Sequence, residues 1–138
     1  MWWKLLLRRA IGAIVGIVMA FIALDTALRA SLMWFAATVD NRADALTVMT
    51  MPLGAQIVAA LGWFVAAFVG AYVTLRIGQW RPAGWIAPAL ILAIGIWNIV
   101  GVAQPLWLQI AAVAGPILGA WLAERHFHRA RRGDPLIN

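Results

Sequence analysis

The chain has 138 residues, of which 64% are hydrophobic and only 12% charged, with a net charge of +6 and no cysteine. Soluble domains run at roughly 45–50% apolar and about 25% charged, so too few charges are present to keep a core in water, and the chain reads as one integral membrane domain. The missing cysteine excludes disulfides, thiolate nucleophiles, cysteine-based zinc sites and iron–sulfur ligation, and the basic residues flank apolar runs instead of forming a soluble basic face, which excludes nucleic acid as the expected partner.

A spanning helix needs about 20 mostly apolar residues, and four segments meet that length: residues 5–24, 53–75, 85–102 and 106–123, followed by a basic tail over 124–138. Lipid offers backbone amides no partner, so each segment is expected to be helical, and the fold class is an all-α bundle of four transmembrane helices. In the first span Arg8 and Arg9 must extend toward headgroups. A basic start before a short apolar run also describes a cleavable signal peptide, but Ala23-Leu24-Asp25 and Ala27-Leu28-Arg29 each put a charge at the last position of the cut motif.

Between Asp25 and Pro52 the chain is too polar to span and too apolar for a free loop. Residues 28–39 contain Leu32, Met33, Trp34 and Phe35 without Gly or Pro, and Asp25 with Arg29 makes an i,i+4 pair. A short interfacial helix between spans one and two, or an extension of span one, is expected here, then a polar turn around Asp40-Asn41-Arg42. Pro52 and Pro105 are expected at the first helical positions of spans two and four.

Short cytoplasmic segments carry the excess of Lys and Arg. Lys4, Arg8, Arg9, Arg76, Arg81, Arg125, Arg129, Arg131 and Arg132, nine of the eleven, fall on one side, leaving Arg29 and Arg42 on the other. Both termini are therefore expected in the cytoplasm, with the basic ends against anionic headgroups. Trp2, Trp3, Trp80, Trp85 and Trp121 fall near that inner interface and Trp34 and Trp107 near the outer one, while Trp63 and Trp97 are expected to pack inside.

Helices in lipid associate by close approach over small residues. Three ridges at four-residue spacing are present: Gly12, Gly16 and Ala20 in span one; Gly62, Ala66, Gly70 and Thr74 in span two; Ala111, Gly115, Gly119 and Ala123 in span four. Pro116 beside Gly115 is expected to bend span four.

Polar groups at membrane depth are few. Asp25, Gln56, Asn98 and Gln109 all fall toward the outer ends of their spans, and their convergence would make an outer-leaflet polar cluster, most simply an interhelical hydrogen-bonding one. The bilayer centre contains no acid, base or histidine, which counts against the small multidrug transporters, whose glutamate in span one has no counterpart over residues 11–24. Glu124 and His128 share a helical face, but two histidines and one carboxylate make a weak ligand set, so no metal is expected. No serine–histidine–acid set, phosphate loop or carboxylate pair can be assembled from five acidic residues, and neither a cofactor nor enzyme activity is expected.

The stretches GAYVTLRIG (residues 70–78), GIWNIV (95–100), QPLW (104–107) and PILGAWLAER (116–125) resemble a loose group of small four-span bacterial inner-membrane proteins of unknown function. The resemblance covers about half the chain, residues 54–125, and implies fold and location but no activity. Where that group often has a histidine before the proline this chain has Gln104, which argues against an essential imidazole there. The ten arginines to one lysine suit a high-GC bacterial genome. The expected role is that of a non-enzymatic accessory or scaffold subunit acting through helix–helix contacts with another copy or a membrane-complex partner. A small dimeric transporter or channel with its path at Asn98 is the alternative.

Overall fold

The computed structural model describes residues 1–35, 52–101 and 104–132, with backbone only at 32, 34, 35 and 129–132. It consists of four α-helices, α1 (Trp2–Phe35), α2 (Leu53–Gly78), α3 (Ile86–Gly101) and α4 (Leu106–Arg132), and a 3-10 turn over Arg81–Trp85 that leads into α3. Among the described residues there is no strand. Four helical segments, one of them the 3-10 turn taken together with α3, are long and apolar enough to cross a membrane.

The helices outrun the apolar segments that announce them. With 34 residues, α1 is about 50 Å long at 1.5 Å per residue, against a hydrocarbon core of about 30 Å. Residues 28–35 continue α1 without a break, so this part of the expected interfacial helix is an extension of the first span and not a separate element. The physical reason is local: no Gly or Pro interrupts the run, and Arg29 Nε donates to Asp25 Oδ2 at 2.7 Å across one turn. The expected polar turn around Asp40-Asn41-Arg42 lies outside the described residues. Residues 124–132, read as tail, are the end of α4. Each proline stands one position earlier than expected: Pro52 is the N-cap of α2, its carbonyl accepting from Ala55 and Gln56 N–H at 3.0 and 3.2 Å, and the Pro105 carbonyl accepts from Leu108 and Gln109 in the same way.

Small residues set the packing. A methyl placed on Gly12 would meet the backbone of Gly78 at 2.7 Å, and one on Gly16 would meet Gly70 O at 2.7 Å and collide with the Thr74 hydroxyl. Further along the same pair of helices, Gly62 lies under Ala27 and the Ser31 hydroxyl donates to Ala55 O at 2.9 Å, so α1 and α2 run antiparallel in contact from Gly12 to Ser31 of α1. On the other side of α2, Gly115 and Gly119 of α4 abut the backbone of Phe64 and Phe68, with the closest approach 2.7 Å from a Gly119 methyl to Phe64 O. Gly95 of α3 abuts Ala112 O of α4 at 2.8 Å. All six ridge glycines of spans one, two and four are thus spent inside one chain.

The core between these contacts is made of Ala20, Leu24, Trp63, Ala66, Ala67, Ala87, Ile91 and Ala112. Trp63 packs inside as expected, at 6% exposure, but Trp97 is 80% exposed. Trp97 follows Gly95 by two residues, about 200° around an α-helix, so when Gly95 turns to α4 the indole must point away from the bundle. Pro116 is buried within α4, which continues past it to Arg132.

Candidate functional site

The antiparallel arrangement collects the polar side chains at the two ends of the bundle. One end is basic. There Arg8 Nε of α1 donates to Ile77 O at 2.8 Å, closing a carbonyl near the end of α2 that the helix leaves open, and the Arg9 guanidinium stacks over Trp80 at 5.2 Å. Gln79 caps α2 in the left-handed region at φ 50°, its N–H donating to Leu75 O, and this reverses the chain into the 3-10 turn. Gly84 of the turn lies against Leu75, where a methyl would meet Leu75 Cγ at 2.8 Å, so the turn folds tightly onto α2 and fixes where Arg81 and Trp85 begin.

Glu124 of α4 holds that turn. Arg81 Nε donates to Glu124 Oε1 at 3.3 Å and Trp85 Nε1 donates to Oε2 at 3.4 Å, while His128 Nε2 stands 3.8 Å from Oε1, too far for a hydrogen bond. Both oxygens of a carboxylate that is only 25% exposed are therefore engaged by residues about 40 positions away. Arg125, the next residue, stacks its guanidinium over Trp121 at 5.2 Å. Arg81, Trp121, Glu124, Arg125 and His128 line an open cleft of about 270 Å³. Among the described residues no three His, Asp or Glu side chains come together, and Glu124 with His128 is a pair only. His126 belongs to a different contact, edging onto Tyr72 at the end of an aromatic row Phe64, Phe68, Tyr72 along α2.

The other end carries the amides, and they are dispersed. Asp25 pairs with Arg29, both exposed. Gln56 is buried in the first turn of α2, and Gln109 Nε2 donates to the backbone oxygen of Gln104 at 3.0 Å. Asn98, half-buried one turn before the end of α3, makes no side-chain hydrogen bond among the described residues. The four candidates are thus on one end of the bundle, but Gln109 bonds the backbone of the α3–α4 turn instead of Asn98. The sequence marks Gln104 only as standing where a histidine is common, not as a buried group whose Nε2 lacks a partner among the described residues, and it gives no sign of Ser31, one turn beyond Ala27 on α1, whose hydroxyl donates to α2. It also left Arg81 and Trp85 unconnected to Glu124, since nothing local to either segment marks a pairing across two helices.

Comparison with family models, with curated proteins and with solved structures gives no match. The chemistry of the two ends is therefore the basis for function: a basic, tryptophan-rich end with an open cleft, and an end with two amides lacking partners among the described residues.

Proposed function

We propose that the chain is a multi-pass protein of a bacterial cytoplasmic membrane, with both termini in the cytoplasm, serving as a non-enzymatic accessory or scaffold subunit that works through helix–helix contact. The orientation follows from the nine basic residues assigned to one side, and the location from the resemblance of residues 54–125 to small inner-membrane proteins. The observation that carries the contact reading is the outer edge of α3 and α4, where Trp97, Val100 and Leu106 are exposed by 80%, 83% and 72%. Tryptophan is among the residue types most enriched at interaction hot spots, and Trp97 stands exposed on α3 with apolar neighbours around it. A photo-crosslinking side chain at position 97 tests it, with one at the exposed Ile14 of α1 for comparison. Discrete protein adducts at 97 and lipid adducts alone at 14 are expected; lipid adducts alone at both positions would contradict the reading.

A second reading is favoured by one observation: among the described residues the half-buried Asn98 side chain and the buried Gln104 Nε2 have no hydrogen-bond partner. Buried polar atoms are normally satisfied, and a dimer could gather these amides along a polar path. Because the chain has no cysteine, a single Asn98→Cys variant reports directly. Labelling by a membrane-impermeant thiol reagent supports the path, and protection supports packing.

A further inference from the structure

The basic cleft continues into an apolar groove. Trp85, Pro88, Ala89 and Leu92 recur along one face of α3 and its lead-in turn, and together with Pro116 and Ile117 of α4 they line a groove of about 120 Å³. Pro88 and Pro116 are buried at its floor, and Ala89 contributes only a methyl, which leaves the channel between the larger side chains open. From Ile117 the same stretch of α4 climbs to Trp121 one turn later and to Glu124, Arg125 and His128 beyond, the residues of the cleft. Trp85 joins the two, lining the groove while its Nε1 donates to Glu124 Oε2 at 3.4 Å. Cleft and groove thus adjoin at Trp85 and make one seam along α4, polar where the cleft lies against Arg81 of the turn and apolar where the groove lies against α3.

We propose that this seam binds one anionic phospholipid, with its phosphodiester at the Arg81 and Arg125 guanidiniums and an acyl chain along the groove from Trp85 to Leu92. This deepens the proposed function and rests on its premise that the helices cross a bilayer with the basic end at the headgroups. Charge matches. The Arg81 Nε is committed to Glu124, which leaves its terminal amino groups to donate. Arg125 is held by its stack on Trp121 and has no carboxylate partner among the described residues. Two guanidiniums against the single Glu124 carboxylate leave one positive charge in excess, the complement of one phosphodiester. His128 also lines the cleft, with its Nε2 turned toward Glu124 at 3.8 Å and away from the opening. A free phosphate would use the guanidiniums alone, whereas a lipid uses groove and cleft together.

The test is native mass spectrometry of the full-length protein in mild detergent, titrated with phosphatidylglycerol or phosphatidylcholine as probes. The wild-type chain should retain one phosphatidylglycerol in preference to phosphatidylcholine. Arg125→Gln should weaken phosphatidylglycerol retention about fivefold, the factor for one basic residue at an anionic surface, and weaken phosphatidylcholine by less, because its choline already opposes the guanidiniums. Leu92→Trp, which fills the groove without touching a charge, should weaken both lipids. Millimolar inorganic phosphate should not displace the bound lipid. Unchanged retention in Arg125→Gln, unchanged retention in Leu92→Trp, or full displacement by inorganic phosphate would each overturn the proposal. Resistance of the wild-type chain to alkaline extraction from membranes, read in parallel, separates failure of the lipid site from failure of the membrane premise.

Discussion

Gly70 lies where α1, α2 and α3 meet. A methyl added there would stand 2.8 Å from Ala20 Cβ, 2.9 Å from Ala87 Cβ and 3.0 Å from Gly16 O. The two carbon contacts fall about 0.6–0.7 Å short of an ordinary van der Waals separation of roughly 3.5 Å, and each obstacle is backbone or a Cβ, so none can rotate aside. Replacing glycine by alanine within a helix favours folding by about 1 kcal/mol, while overpacking a filled core costs about 1–3 kcal/mol. Gly70→Ala is therefore expected to lose up to about 2 kcal/mol net, and Gly70→Leu about 3 kcal/mol or more. Gly101 supplies the contrast, because among the described residues nothing lies within 4 Å of a methyl placed there, and Gly101→Ala should be neutral or slightly stabilising. Val65→Leu on the exposed side of α2 should stay within about 0.5 kcal/mol. Equilibrium unfolding in mixed detergent micelles measures all four. Equal effects of Gly70→Ala and Gly101→Ala would refute the three-helix junction.

Three further outcomes follow from the geometry. Gln79 carries a left-handed φ of 50°, a region costly to a residue with a Cβ, so Gln79→Gly should stabilise the fold by up to about 1 kcal/mol in the same unfolding assay; destabilisation would show that the side chain, not the backbone, matters there. Glu124→Gln keeps an acceptor for Trp85 but removes the charge facing Arg81, a pair exposed by 25% and 67%, so the loss should be under about 1 kcal/mol and should shrink in high salt. Asn98 has no hydrogen bond to lose among the described residues, so Asn98→Leu should change stability by less than about 1 kcal/mol; a larger loss would reveal a bond to another chain or to segments beyond those described.

The small-residue ridges were legible from the sequence for a physical reason. A glycine or alanine every four residues keeps to one face, and Gly62, Ala66, Gly70 and Thr74 are all buried together in α2. Trp97 was misread because α3 is apolar all round, so hydrophobicity does not distinguish the bundle face from the lipid face; only the size of Gly95 does, and it points to α4. The helical state of residues 28–35 was legible as an extension of span one, but residues 124–132 read as tail because hydropathy measures the length of chain in lipid and not where the helix stops. The clasp of Arg81 and Trp85 on Glu124 joins segments about 40 residues apart and leaves no periodic trace. The amides show the converse: their place toward one end of the bundle was readable, but side-chain partners were not, and Gln109 turned to the backbone of Gln104.

The threading proposed for the chain has four helices across the bilayer with the basic end in the cytoplasm. Reporter fusions after Asn41, after Gln79 and at Asn138 measure it directly, using one reporter active only in the cytoplasm and one active only outside it. Cytoplasmic activity is expected after Gln79 and at Asn138, and external activity after Asn41. The same side for Asn41 and Asn138, or an external Gln79, would contradict it.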